Sequence, residues 1–220
     1  MSRAEGRGVP SQAERVARKR RQQIILWGSL GVLAIAIVVA VALASRVPNT
    51  ASTAPTYAHI EAGQQAPDFT VFANSGPFQL SKVTDRPALL ELFATWCPHC
   101  QRMTGVLDGL YDKYKGGAAF IGVSASEYGA DQSPASQADV NDFATKFNVS
   151  YPIAFDPNLD VAKKYLQGGF PTLVLIGKDG KILAINDGEI PAKNLAAALD
   201  AAIAGRPVKP DFGLTRTPNG

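Results

Sequence analysis

The sequence predicts an α/β domain, with a mixed β-sheet and helices on both of its faces, that follows an N-terminal transmembrane helix. Three observations lead to this prediction. Short apolar segments typical of buried strands alternate with stretches of helical periodicity. A Gly-Lys-Asp-Gly turn at residues 177–180 separates two strand-like segments, as in a β-hairpin. Residues 24–44 form an apolar run without a charge.

The apolar run is long enough to cross a bilayer. At about 1.5 Å of rise per residue, a helix over these positions is about 31 Å long, close to the hydrocarbon thickness of a membrane. Residues 1–23 hold seven basic and two acidic residues, whereas only Arg46 follows the run closely. The positive-inside rule therefore predicts a basic cytoplasmic tail at 1–23, a single-pass transmembrane helix at 24–44 in the cell membrane, and an extracytoplasmic domain.

Two other interpretations of the N-terminus were weighed. A cleaved signal peptide ending near Ala42–Ala44 is the alternative to an uncleaved signal-anchor, and it exports the domain as well. A basic tail can also indicate nucleic-acid binding, but the adjacent span explains these charges as a topology signal. We therefore predict no nucleic-acid partner.

The rest of the chain divides by composition. Residues 45–65 are rich in Ser, Thr, Ala and Pro and predict a flexible linker, 66–206 form the domain, and 207–220 predict a loose C-terminal tail. We expect strands at Phe69–Phe72, Phe78–Leu80, Pro87–Phe93, Ala118–Ser124, Tyr151–Phe155, Thr172–Ile176 and Lys181–Ile185. We expect helices at Cys97–Lys115, Gln137–Phe147, Asn158–Leu166 and Pro191–Ala204, the third of them capped by Asn158.

The chain has two cysteines, Cys97 and Cys100, in the sequence Trp-Cys-Pro-His-Cys where a buried strand turns into a helix. Two cysteines three positions apart close only a tight local loop, which suits a redox pair better than a structural staple. At the start of a helix, the positive end of the macrodipole favours the Cys97 thiolate. Cys100 lies one turn further on, close enough to attack a mixed disulfide formed on Cys97.

The run Leu90–Cys100 resembles the active site of the thioredoxin superfamily, and Phe170-Pro171-Thr172 resembles the cis-proline loop of that superfamily. The start Ala66–Phe69, an extra αβα segment between motif and proline, and the N-terminal anchor resemble the membrane-anchored, extracytoplasmic TlpA/ResA-like branch. This resemblance covers roughly residues 60–205. It implies a thioredoxin-like fold, thiol–disulfide exchange as the activity, and no bound cofactor.

Two further residues acquire candidate roles through the resemblance. Glu91 matches the position of a buried carboxylate, whose burial would raise its pKa and allow it to relay a proton to or from Cys100. The alternative is an edge or partly hydrated strand position without a role. A cis bond before Pro171 would face the thiols and leave the Phe170 main chain to pair with a substrate strand, unless Pro171 is an ordinary turn proline.

The residues beside the cysteines allow two interpretations each. As a cation or hydrogen-bond donor, His99 would stabilise the reduced dithiol and make the disulfide more oxidising, or it is a solvated helix residue. Trp96 is either a substrate-facing platform or a packing residue.

Other uses of the cysteine pair fit less well. A zinc site needs about four ligands, and the only histidines are His59 and His99, so no metal is predicted. Haem attachment needs a histidine directly after Cys100, where Gln101 stands. A static disulfide between the two cysteines remains an alternative. A Sco-like copper chaperone needs wider cysteine spacing and a distant histidine, and a peroxiredoxin centres on one peroxidatic cysteine.

The direction of electron flow is ambiguous in the sequence. The architecture resembles TlpA-like reductases, which draw electrons from a membrane redox partner, whereas the Pro98-His99 dipeptide is that of DsbA-type oxidants. We predict a disulfide reductase acting on exported thiol or disulfide proteins. A DsbA-like oxidant and a non-catalytic binding module with a thioredoxin fold are the alternatives.

Overall fold

The structure is a computed structural model that describes residues 57–214, together with helical positions at 20, 21, 27, 35–37, 39 and 40. The chain divides into two compact units, residues 1–53 and 54–220. The predicted cytoplasmic tail, transmembrane helix and linker lie mostly outside the described residues. Where the structure describes the chain, no helix is both long and apolar enough to cross a membrane.

Between residues 57 and 214, seven strands form one sheet in the order β2-β1-β5-β4-β3-β6-β7. The strands are β1 (Thr70–Ala73), β2 (Gly76–Gln79), β3 (Ala88–Phe93), β4 (Ala119–Ser124), β5 (Ile153–Phe155), β6 (Thr172–Ile176) and β7 (Ile182–Asp187). The helices are α1 (Pro98–Tyr114), α2 (Gln137–Phe147), α3 (Asp160–Tyr165) and α4 (Ala192–Ile203), with a 3-10 turn at Leu80–Lys82.

The sheet is mixed, and β3 lies near its centre. Strands β3, β4 and β5 run parallel, while β6 and β1 pair antiparallel with β3 and β5 and continue into the edge strands β7 and β2. All six residues of β3 are buried, as its continuous apolar run predicts for a strand covered on both faces. This confirms the thioredoxin-like α/β class.

Successive residues of β3 point to opposite faces and into two separate cores. Leu89 and Phe93 pack with residues of α1, α2 and α4, whereas Leu90 and Leu92 pack with residues of α3 and the N-terminal segment of the domain. Helices therefore cover both faces of the sheet, as predicted. Glu91 shares its face with Leu89 and Phe93, on the side of α1.

Most predicted elements are present within one or two residues, but the cap of α3 is not the predicted one. Leu159, not Asn158, occupies the N-cap position, in a left-handed conformation (φ 56°), and it makes no side-chain cap bond. The chain turns so that the Asp156 carboxylate accepts hydrogen bonds from the backbone N–H groups of the next helical turn, at 2.9, 2.8 and 3.1 Å. The prediction of an Asn158 cap was wrong because a short polar residue before a helix does not reveal this local turn.

The described flanks of the domain pack on it instead of extending away. Ala58 donates its backbone N–H to Lys163 (2.7 Å), and Ile60 is buried, although both fall in the predicted linker. On the C-terminal side, where a loose tail was predicted, Phe212 is buried and the Pro210 carbonyl accepts from Ile185 (2.9 Å). The Ser, Pro and Gly content of these flanks does not reveal such long-range contacts.

The cap of α3 can be tested by mutation. We expect Asp156→Ala to lower the free energy of unfolding by about 1–3 kcal/mol, because three backbone N–H groups lose their buried acceptor. Urea denaturation of the wild type, of this variant and of a control variant measures the loss. The exposed Asn158 provides the control: Asn158→Ala should stay within about 0.5 kcal/mol of wild type. Equal losses for the two variants would contradict the assignment.

Candidate active site

Cys97 and Cys100 lie at the junction of β3 and α1, near the middle of the sheet. Cys97 is the N-cap residue of α1, with extended backbone (φ −78°, ψ 118°), and Pro98 begins the helix. Both cysteines are free thiols. Cys97 keeps 5% of its surface exposed, whereas Cys100 has none. Cys97 is therefore the sulfur that an external partner reaches first.

The loop before β6 faces Cys97. Its Phe170–Pro171 peptide bond is cis, as the sequence predicted. The Cys97 thiol donates a hydrogen bond to the Phe170 carbonyl oxygen at 3.6 Å. The Thr172 hydroxyl donates to the Gly169 carbonyl (2.8 Å), which ties the loop to the start of β6. The structure thus brings residues 97 and 170, far apart in sequence, into direct contact.

Trp96 has features of both a packing residue and a substrate-facing platform. Its indole packs edge-on against Phe170, with ring centroids 6.3 Å apart, and its Nε1 donates to the Ser126 hydroxyl at 2.9 Å. Even so, 40% of Trp96 stays exposed, and so does 51% of nearby Tyr128, whose backbone N–H and carbonyl both bond to the same Ser126 hydroxyl. These aromatic residues form an apolar border beside Cys97.

Glu91 is buried in the centre of the sheet. It pairs with Gly122 of β4 and Leu173 of β6 and is 1% exposed, which rules out the alternative of an edge or hydrated position. Its Oε2 accepts a hydrogen bond from the Tyr151 hydroxyl at 3.0 Å, while among the described residues its Oε1 has no partner. Burial raises the pKa of Glu91 to about 8, although the Tyr151 hydrogen bond acts in the opposite direction.

Gly122 makes room for the Tyr151 ring. A Cβ at this position would lie 3.1 Å from both the Tyr151 Cε2 and the Ile153 Cγ2. Any side chain on β4 beside Glu91 would therefore crowd the ring that supplies its hydrogen bond. From the sequence, Tyr151 was predicted only as a strand residue, although a glycine within a buried strand is a recognised sign of close approach.

Cys100 lies in the same buried environment. Burial raises the pKa of the Cys100 thiol well above its ordinary value, and the Glu91 carboxyl and the Cys97 sulfur add to the rise. A thiol in this state needs a base before it can act as a nucleophile. Glu91, whose pKa burial raises to about 8 and whose charge acts on Cys100, is the candidate for that base.

His99 of the motif belongs to a charged cluster, whose other two members were not predicted from the sequence. Arg102 forms bonds of 2.6 to 3.2 Å with both carboxylate oxygens of Glu189. The His99 Nδ1 lies 2.6 Å from Glu189 Oε1 and 2.8 Å from Arg102 Nη2. His99 and Arg102 share a helix face because they are three residues apart. No local pattern connects them with Glu189, which lies 87 positions after Arg102.

The chain has recognisable relatives. The Redoxin family model matches residues 61–201. The thiol-disulfide oxidoreductase ResA of Bacillus cereus (strain ZK / E33L) is 28% identical over 142 residues, which are 64% of this chain and 78% of the relative. ResA of Bacillus thuringiensis subsp. konkukian is 30% identical over 132 residues, covering 59% and 72%. A crystal structure from Chlorobium tepidum, described as a candidate thiol:disulfide interchange protein DsbE, has a TM-score of 0.59 at 26% identity and covers 66% of this chain and 99% of its own.

The burial of Glu91 predicts how stability depends on pH. Folding raises the pKa of Glu91 from 4.5 to about 8. Between these two pH values the folded state therefore holds a proton that the unfolded chain has already released. We therefore expect the wild type to lose stability by a few kcal/mol as the pH rises through this window. In Glu91→Gln, which cannot ionise, that loss should be absent. Urea denaturation at pH 5, 6.5 and 8 measures both curves.

Tyr151→Phe serves as the matched variant. It removes the hydrogen bond that opposes the rise in the pKa of Glu91, so the decline in stability should continue to higher pH than in the wild type. Parallel curves for the wild type and Glu91→Gln would show that Glu91 does not titrate in this range.

Proposed function

The chain belongs to the Redoxin family and is a thiol–disulfide oxidoreductase of the ResA/TlpA-like type, and on this premise we propose that Cys97 and Cys100 reduce disulfide bonds in exported proteins. One observation carries the proposal: Cys97, at a helix N-terminus, keeps a small exposed surface of 5%, whereas Cys100, one turn further on, is fully buried and has a buried carboxyl group in its surroundings. This arrangement divides disulfide reduction into an attacking and a resolving step.

In the first step, the Cys97 thiolate attacks one sulfur of the substrate disulfide. The substrate S–S bond breaks, a mixed disulfide forms on Cys97, and the other substrate sulfur leaves as a thiolate that takes up a proton. The helix N-terminus favours the attacking thiolate. The exposure of Cys97, compared with the complete burial of Cys100, supports this order of events.

In the second step, Cys100 gives its proton to Glu91 and attacks the Cys97 sulfur. The mixed disulfide breaks, the second substrate sulfur leaves, and a Cys97–Cys100 disulfide forms. The substrate thereby gains two electrons and the protein loses two. Two electrons from a membrane redox partner would restore the dithiol, and the proton on Glu91 is available for the reverse transfer.

The surface around Cys97 suits an extended polypeptide. The Phe170 main chain lies against the reacting sulfur and offers backbone groups to a substrate strand. Trp96 and Tyr128 border it with apolar surface, which favours a protein substrate over a small hydrophilic disulfide.

The proposed location rests on the N-terminal sequence. The uncharged run 24–44 and the excess of basic residues before it support a signal-anchor with the domain outside the cytoplasm. A disulfide oxidant is the second candidate, because His99 lies between the two cysteines and a cation there would stabilise the dithiol. A reduction potential of the Cys97/Cys100 pair of about −270 mV favours the reductase, and one of about −120 mV favours the oxidant.

The roles of the two cysteines are separable in an insulin-reduction assay. We expect Cys97→Ser to abolish activity, since the attacking sulfur is gone, and Cys100→Ala to stop after the first step. The Cys100→Ala protein should therefore accumulate mixed disulfides with substrates, detectable on non-reducing gels and absent in the Cys97→Ser/Cys100→Ala double variant. Activity of Cys97→Ser equal to that of the wild type would instead favour a non-catalytic binding module.

The proton relay predicts a pH profile. Reduction by the wild type should speed up as Glu91 ionises around pH 8, because the carboxylate form accepts the Cys100 proton. In Glu91→Gln we expect a rate at least about tenfold lower near neutral pH and no inflection from this group. Stopped-flow measurements between pH 6 and pH 9 provide both profiles, and identical profiles would end the relay hypothesis.

A further inference from the structure

The cluster of His99, Arg102 and Glu189 surrounds the motif with charges that the exchange mechanism does not use. All three side chains are partly exposed, with relative accessibilities of 62%, 54% and 37%. Arg102 contacts the carboxylate through Nε and Nη2, in the two-pronged arrangement typical of strong guanidinium–carboxylate pairs. The His99 Nδ1 accepts a hydrogen bond from Arg102 when it carries no proton, and it donates one to Glu189 when it is protonated.

The backbone fixes Glu189 beside the dithiol. Gly188 precedes it with φ 104°, a conformation that other residues rarely adopt, and donates its N–H to the Pro171 carbonyl at 2.7 Å. The N–H of buried Ile190, which follows it, points at the Met103 sulfur of α1 at 3.4 Å. One side of the loop is thus attached to the cis-proline segment and the other to the helix that begins at Cys97. The position of the Glu189 backbone is therefore set by the site itself.

The cluster is electrostatically connected to the reacting sulfur. Hydrogen bonds to Glu189 raise the pKa of the Arg102 guanidinium, and the charge of Cys97 adds to the rise. Arg102 lies five positions after Cys97, about 7.5 Å along the axis of the helix that Cys97 caps, so its charge acts close to the reacting sulfur. Hydrogen bonds from Arg102 and His99 lower the pKa of Glu189, so the carboxylate is charged at neutral pH and opposes the charge of Arg102.

We propose that Glu189 is a potential-determining residue, which offsets the positive charge of Arg102, and that of His99 when it is protonated, and so makes the Cys97/Cys100 pair more reducing than its Pro-His dipeptide alone dictates. This inference rests on the proposed thiol–disulfide exchange and deepens it. Positive charge near Cys97 stabilises the dithiol, because only the reduced state carries a thiolate. Glu189 removes part of that stabilisation and thereby raises the tendency of the dithiol to give up electrons.

The test is the equilibrium of the full-length protein with glutathione at pH 7, in which the dithiol and oxidised glutathione form the protein disulfide and two molecules of reduced glutathione. We expect Glu189→Gln to shift this equilibrium about threefold toward the dithiol, the size that a partly exposed ion pair allows. A threefold change is about 14 mV for a two-electron couple. Glu189→Asp, which keeps the charge, should lie nearer the wild type.

Two further variants separate charge from structure. Arg102→Gln removes a cation and should shift the equilibrium toward the disulfide, and the double variant Arg102→Gln/Glu189→Gln should fall between the single variants. Asp112→Asn is the matched control, since it removes an exposed carboxylate of the same helix that pairs with Lys115, about 22 Å along the axis from Cys97. It should leave the equilibrium unchanged. At 1 M salt, where the Debye length is about 3 Å, the effect of Glu189→Gln should shrink.

The outcomes distinguish this inference from the proposed function. An equilibrium of Glu189→Gln equal to that of the wild type, or shifted toward the disulfide, overturns the role of Glu189. If the wild type still reduces insulin in that case, thiol–disulfide exchange stands. A wild type that fails to reduce insulin contradicts the proposed function, while the glutathione equilibria still show whether Glu189 tunes the pair.

Discussion

The desolvation of one carboxyl group is the constraint on which the site depends. Glu91 lies in the middle of a strand that is covered on both faces, where an ionised carboxylate is costly. Within residues 57–214, the Tyr151 hydroxyl is the one group that donates a hydrogen bond to it. The same burial holds Cys100 as a thiol. Glu91 and Cys100 therefore share one buried environment that favours the neutral form of both acids. In our proposal Glu91 accepts the Cys100 proton only as a carboxylate, so the transfer replaces a buried carboxylate with a buried thiolate, which is consumed when it attacks the mixed disulfide.

Besides this buried environment of Glu91 and Cys100, the fold supplies polar groups around Cys97. The junction of β3 and α1 places Cys97 on a helix tip, the loop before β6 covers its sulfur with the Phe170 carbonyl, and the loop after β7 adds Glu189. Burial thus raises the pKa of Cys100, whereas in our proposal the exposed charges act on Cys97. The two cysteines, three residues apart, are regulated by different physical effects.

Much of this could be predicted from the sequence because its signals are local. The continuous apolar run of β3 and the proline at residue 171 predicted the central strand and the cis bond, and the structure confirms both. The cysteine spacing predicted the redox pair, which stays a prediction. The partners of Glu91 and His99 were not predicted, because Tyr151 and Glu189 are separated from them by 60 and 90 positions. Such contacts depend on strand register and loop path, which periodicity does not encode. The prediction of a loose C-terminal tail was wrong at Phe212 for the same reason, since this residue is buried by a contact that composition does not indicate.

The central claim is that the two sulfurs differ in reactivity, with Cys97 attacking and Cys100 held back by burial until it is deprotonated locally. Brief alkylation of the fully reduced, full-length protein with iodoacetamide at pH 7, followed by peptide mass spectrometry, tests this most directly. The account predicts that label appears on Cys97 while Cys100 stays unmodified. Equal labelling of both cysteines, or an unreactive Cys97, would contradict it.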